Sequence, residues 1–122
     1  KIRQYTLMGE NLYLLDHQNI HVLNKDTGQY LETFSLKDDH DLTFIGASQE
    51  GTLFLAQEEQ LMAIDTKDGR IFFKRELEKN NGSNFYMIGN HLAQFHRHSS
   101  IISFFTSSGE VFEVTTDDSS HK

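Results

Sequence analysis

The stretch that decides the fold runs from Thr52 to Lys74 and reads Thr-Leu-Phe-Leu-Ala-Gln-Glu-Glu-Gln-Leu-Met-Ala-Ile-Asp-Thr-Lys-Asp-Gly-Arg-Ile-Phe-Phe-Lys. Two short apolar runs are joined by a polar segment, and a turn at Thr66–Gly69 leads into a third run. An Asp-Gly pair tolerates the positive φ that a tight hairpin requires. The stretch therefore predicts three consecutive antiparallel strands.

The same layout occurs three times in the chain at a spacing of about 40 residues. The glycine that closes the second turn is Gly28, then Gly69, then Gly109, and we expect all three to have positive φ. Apolar columns share this spacing. One of them contains Leu23, Ile64 and Phe104, and we expect its members to be buried between strands.

Each repeat contains four short apolar runs separated by polar turns, and a period near 40 residues with four strands is typical of a propeller blade. The sequence thus predicts an all-β protein with three four-stranded antiparallel blades of a β-propeller. The repeats span about 1–41, 42–84 and 85–116. Residues 117–122 contain no apolar side chain and are predicted to be a disordered polar tail.

Three blades raise a question of closure, because propellers usually have about 4–8 blades. The chain is therefore predicted to be part of a larger propeller, or half of one assembled from two chains. A homo-oligomer would also close the ring. We expect Leu12, Leu14, Phe95 and Phe105 to lie on the terminal faces without a partner in the chain.

Composition excludes several classes of function. The net charge is −7 and the basic residues are interspersed with acidic ones, which argues against nucleic-acid binding. The sequence has no cysteine, so thiolate chemistry and disulfides are absent. It also has no apolar run near the ~20 residues that a membrane helix needs. The compartment stays open, and an extracytoplasmic or secretory-lumen location is compatible with the sequence.

The middle repeat, Leu61-Met-Ala-Ile-Asp-Thr-Lys-Asp-Gly-Arg-Ile-Phe-Phe73, resembles the repeat of quinoprotein-like β-propellers. That repeat has an Ala-Leu-Asp stretch, a Thr-Gly or Asp-Gly turn, then Lys or Arg and a Trp. Ala63, Asp65, Gly69 and Arg70 match it, and Phe73 replaces the Trp. The family's enzymes hold their cofactor on a Trp and a calcium site, whereas this chain has no Trp. The resemblance therefore implies the non-catalytic members, and NHL-type repeats are the alternative.

Three histidines form the best candidate for a metal site. His96 and His98 are two residues apart, which places both rings on one face of a strand, and His91 could add a third nitrogen. The alternative is a polar strand end without a metal, which the neighbouring Arg97 and the lack of nearby carboxylates favour. We expect no bound metal. Asn81 begins an Asn-Gly-Ser glycosylation sequon, a triplet that also arises by chance.

The sequence has no nucleophile elbow and no phosphate-binding glycine loop, so it nominates no catalytic or cofactor-binding residue. It predicts a non-enzymatic propeller scaffold without a cofactor that binds a protein partner or the remaining blades. The alternative from another class is a propeller enzyme or sensor domain that binds a small molecule or a metal through His91, His96 and His98.

Overall fold

A computed structural model describes residues 2–17, 19–36, 43–57, 60–77, 84–96 and 99–116 of the 122-residue chain. These residues form twelve β-strands in three four-stranded antiparallel sheets, which confirms the predicted fold class. Within this part of the chain no helix is long and apolar enough to cross a membrane. The predicted tail at 117–122, Asn81 and His98 lie outside the described residues.

Each repeat of the sequence forms one sheet, in which consecutive strands are neighbours. Blade 1 consists of β1 (Ile2–Met8), β2 (Asn11–Asp16), β3 (Asn19–Asn24) and β4 (Tyr30–Ser35). Blade 2 consists of β5 (Thr43–Ala47), β6 (Thr52–Gln57), β7 (Gln60–Asp65) and β8 (Ile71–Glu76). Blade 3 consists of β9 (Asn84–Ile88), β10 (His91–Phe95), β11 (Ile101–Phe105) and β12 (Val111–Thr115).

The three blades stack face to face, with blade 2 in the middle. One apolar core joins blades 1 and 2 and includes Leu15, Ile20 and Ile64, all fully buried. A second core joins blades 2 and 3 and includes Phe54 and Leu92. Because alternate side chains of a strand point to opposite faces, a strand between two blades contributes to both cores. The middle repeat is therefore the most continuously apolar of the three.

Hydrogen bonds also join neighbouring blades, at their first strands or just after them. The side-chain oxygen Oε1 of Gln4 accepts a hydrogen bond from the backbone N–H of Phe44 at 2.8 Å. The hydroxyl of Ser48 donates to Oδ1 of Asn90 at 3.1 Å. These bonds fix how neighbouring blades are placed relative to each other, because each needs both partners within about 3 Å.

The turn glycines have the backbone conformation expected of them. The φ angles are 74° at Gly28, 79° at Gly69 and 95° at Gly109. Two of these turns also receive an aromatic ring from the preceding blade. A Cβ on Gly69 would lie 2.5 Å from Cδ1 of Phe34, and one on Gly109 would lie 3.2 Å from the ring of Phe73. Glycine is thus required at Gly69 both for its φ and for the space that the ring occupies.

The predicted column of Leu23, Ile64 and Phe104 is wrong in the third repeat, because Phe104 is not the structural equivalent of the other two. Gly69 donates its N–H to the carbonyl of Asp65, four residues earlier, but Gly109 donates to Thr106, three residues earlier. The turn in blade 3 is therefore one residue shorter, and aligning the glycines shifts the preceding strand by one position. A shift of one residue moves every side chain of a strand to the other face. Phe105, and not Phe104, is the structural equivalent of Ile64.

The corrected register separates two columns in the third strands of the blades. Residues whose side chains face the preceding blade are Leu23, Ile64 and Phe105. Residues whose side chains face the following blade are Val22, Ala63 and Phe104. Every member with a neighbouring blade on its side is buried, whereas Leu23 and Phe104 are only half-buried. The prediction that Leu23, Ile64 and Phe104 are all buried thus holds for Ile64 alone.

Candidate interaction surfaces

The face of blade 1 that points away from blade 2, called face A, carries apolar side chains against which no strand of the described residues packs. Tyr5 and Leu7 of β1 are 69% and 54% exposed. Their cross-strand neighbours on β2 are Leu14 and Leu12, which are half-buried. Leu23, opposite Leu12, continues this row onto β3. Face A thus presents an apolar surface across three strands.

The opposite end of the stack, the face of blade 3 that points away from blade 2, is called face B. Phe104 and Phe112 stack with ring centroids 5.2 Å apart, and the His91 ring lies nearly perpendicular to both, at centroid distances of 6.4 and 5.6 Å. Tyr86 and Phe95 form a second aromatic pair, edge to face at 5.4 Å. Exposed aliphatic residues complete the surface: Ile88 and Val114.

Three of the four residues expected on the terminal faces lie there. Leu12 and Leu14 are on face A and Phe95 is on face B. The expectation for Phe105 is wrong, since it is 3% exposed and packs in the core between blades 2 and 3. The one-residue shift of register that moved Phe104 outward also turned Phe105 inward.

A polar network lies within the apolar surface of face A. Nε2 of His21 donates to Oδ2 of Asp16 at 2.8 Å, which leaves Nδ1 to accept from the hydroxyl of Tyr30 at 3.0 Å. The Tyr30 hydroxyl in turn contacts Oγ1 of Thr33. The hydrogen bond from His21 holds the pKa of the Asp16 carboxyl below its ordinary value of 3.8. Asp16 therefore stays ionised and fixes one tautomer of the imidazole.

The structure does not bring the two described histidines of the predicted metal candidate together. His91 lies on face B against Phe104 and Phe112. His96 lies on the other face of blade 3, where Nε2 is 2.9 Å from the hydroxyl of Ser103, a residue that faces blade 2. Within the described ranges no group of three or more His, Cys, Asp or Glu side chains could hold a metal ion.

Sequence reasoning missed the Asp16–His21 pair, although a signal existed. Asp16 and Asn19 flank a tight connection and pair across it, so His21 is on the strand that runs back past Asp16. Because His21 is two residues beyond Asn19, it lies on the same face as Asp16 and diagonal to it, and the spacing of five residues indicates a hydrogen bond once the turn is recognised. The third repeat has the equivalent pair, His96 and Ser103.

Comparisons with solved structures identify the fold. Hsv2 from Kluyveromyces marxianus matches with a TM-score of 0.69 at 13% identity, over 95% of this chain and 48% of that one. Virginiamycin B lyase from Staphylococcus aureus matches with a TM-score of 0.65 at 17% identity, over 97% and 42%. BamB from Moraxella catarrhalis matches with a TM-score of 0.61 at 15% identity, over 93% and 34%. All three are β-propeller proteins.

At these identities the likeness shows the fold alone. The chain is therefore similar to a β-propeller segment and spans between about a third and a half of each of these proteins. The neighbours include a lyase as well as proteins of other kinds, so the fold does not select an activity. No family model and no curated protein matches the sequence.

Proposed function

We propose that this chain is a non-enzymatic propeller segment that acts as a scaffold, and that faces A and B are covered by further propeller blades. The observation that carries the proposal is the contrast between equivalent positions. Ile64 is fully buried by blade 1, whereas its equivalent Leu23 on face A has no blade to pack against. Each 100 Å² of apolar surface removed from water contributes about 2.5 kcal/mol, so two open faces strongly favour association.

The fold comparisons support further blades as the occupant. The solved propellers continue well beyond the segment that this chain matches, since at most 48% of their length is covered. The residues of face B occupy positions in blade 3 that correspond to those of Val22 in blade 1 and Ala63 in blade 2. Val22 and Ala63 are buried against the following blade. A blade docked on face B would therefore meet the same arrangement that blade 2 presents to blade 3.

We also propose that the repeats are of the quinoprotein-like type. The Phe73 ring, which stands at the position of that repeat's Trp, packs against Gly109 in the turn of the next blade. In blade 1 the Trp position holds Glu32, and Phe34, two residues further along β4, contacts Gly69. An aromatic side chain that reaches the next turn gives each repeat a contact with its neighbour, as a stacked array requires.

Analytical ultracentrifugation of the isolated chain at micromolar concentration tests the scaffold proposal. We expect self-association, because without further blades the only apolar surfaces available to cover faces A and B are those of other copies. The variant Ile88→Lys on face B, 46% exposed in the wild type, should weaken it. A matched control is Ile71→Lys on blade 2, where the isoleucine is 40% exposed but lies on neither face.

A stable monomer with a cooperative melt would contradict the proposal, because it would show that the three blades need nothing on their outer faces. Equal effects of the two lysine variants would contradict it as well, since the association would then not use face B. The alternative, a metal-binding enzyme or sensor, predicts a stoichiometric metal in the purified chain. The placement of His91 and His96 on opposite faces of blade 3 argues against a site that includes both.

A further inference from the structure

A cleft of about 200 Å³ opens between blades 2 and 3, away from faces A and B. One of its buried polar groups is the side chain of Gln94, which is 4% exposed. Within the described part of the chain this carboxamide makes no hydrogen bond. A buried polar group without a partner costs about 1–3 kcal/mol, so natural proteins retain few of them. The Gln94 carboxamide therefore needs a hydrogen-bond partner that the described part of the chain does not supply.

The equivalent positions in blade 2 show that a blade can form without a polar group there. Gln94 is opposite Ser103, and the equivalent pair in blade 2 is Leu55 and Met62, both buried against blade 1. Blade 3 thus places a polar pair where blade 2 has a close-packed apolar pair. A local exception to the packing rule of a repeat is expected at functional positions.

The surroundings of Gln94 determine what would fit. Ser103 is also buried and is held by His96, so the polar floor of the cleft is ordered. Leu77 and Phe105 add buried apolar walls. A volume of about 200 Å³ is smaller than a drug-sized pocket and has room for one short side chain or a comparably small molecule.

The burial of Gln94 favours a neutral occupant. Arg75, Glu76 and Glu113 line the cleft, so charges of both signs are present and the two carboxylates disfavour an anion. All three charged side chains are exposed, whereas the Gln94 carboxamide is buried and uncharged. Burying an ion beside a neutral amide leaves its desolvation uncompensated. The carboxamide offers both N–H donors and a carbonyl acceptor, and another amide satisfies both.

We propose that this cleft binds a neutral amide group on a short apolar stem. The amide pairs with Gln94 and the stem packs against Leu77 and Phe105. A glutamine side chain of a protein partner and a free small amide share this chemistry. The inference does not depend on what covers faces A and B, because the cleft is formed entirely by blades 2 and 3.

Nuclear magnetic resonance of the nitrogen-15-labelled full chain tests the proposal with three probes of similar size. They are propionamide, which is neutral, propionate, which is an anion, and propylammonium, which is a cation. We expect propionamide to shift the side-chain amide signal of Gln94 and the backbone signal of Ser103 saturably, in about the millimolar range given so few atoms. Stronger binding of either charged probe would overturn the neutral-amide assignment, and saturable binding by none of them would overturn the site.

Two further measurements complete the test. Glutamine blocked as its N-acetyl N-methylamide should bind more tightly than propionamide if the source is a peptide, and no more tightly if it is a free small amide. Gln94→Met should abolish the shifts and raise the melting temperature, because it replaces an unpartnered polar group by an apolar one of similar shape. The exposed Gln29→Met is the matched control and should change neither. A lower melting temperature for Gln94→Met would show that Gln94 serves only the fold.

Discussion

Replacing Ile64 by alanine tests the register and the stacking of the blades together. Ile64 is fully buried in the core between blades 1 and 2, where it packs with Leu53 and Met62. The substitution removes three carbon atoms, worth about 2.4 kcal/mol at ~0.8 kcal/mol per buried group, and leaves a cavity in addition. We expect the free energy of unfolding to fall by about 2–5 kcal/mol.

Leu23→Ala is the matched control, because Leu23 has the equivalent position in blade 1 but lies on the open face A. Leu23→Ala should lower the free energy of unfolding by about half as much as Ile64→Ala or less, since part of the Leu23 side chain is already in water. Urea unfolding followed by circular dichroism, at concentrations low enough to keep the chain monomeric, measures both. A loss within error for Ile64→Ala, or equal losses for the two variants, would refute the assigned stacking.

Three more predictions follow from the described contacts. Gly69→Ala should lower the free energy of unfolding, measured with urea, more than Gly28→Ala does. Both glycines need positive φ, but only Gly69 also faces the Phe34 ring. Equal losses for the two variants would show that the Phe34 ring moves to make room for the added methyl group. Because His21 lowers the pKa of Asp16, the ionised carboxylate stabilises the fold fully above about pH 3.8. This contribution to stability is lost as the pH falls through the lower pKa that Asp16 has in the folded state. Asp16→Asn should therefore flatten stability against pH in that acid range, and an unchanged profile would contradict the network. Metal analysis of the purified chain should find no stoichiometric zinc, copper or nickel. One bound equivalent of metal would support the metal-binding alternative instead.

The repeat architecture could be predicted because its determinants are local. A turn such as Asp68-Gly69 specifies a hairpin through backbone sterics alone, and alternating apolar residues specify which face of a strand is buried. Neither depends on distant parts of the chain. The three glycines and the apolar runs between them were therefore sufficient to predict three four-stranded antiparallel blades.

The details that decide the surfaces could not be predicted, because they depend on how the blades contact each other. The blade 3 turn is one residue shorter, which exchanges the faces of Phe104 and Phe105, yet both residues are phenylalanine and the sequence pattern looks the same. In the sequence Gln94 is one polar residue among others, and only the packing of blade 2 against blade 3 encloses it in a cleft.

The sequence by itself determined the strands, the turns and the number of blades, since these follow from local sterics and from the period of the apolar residues. Only the tertiary structure decided which apolar faces are covered, since burial depends on the neighbour and not on the residue. Leu23 and Ile64 occupy the same position in their blades, and the presence of a preceding blade makes one a core residue and leaves the other on an open surface.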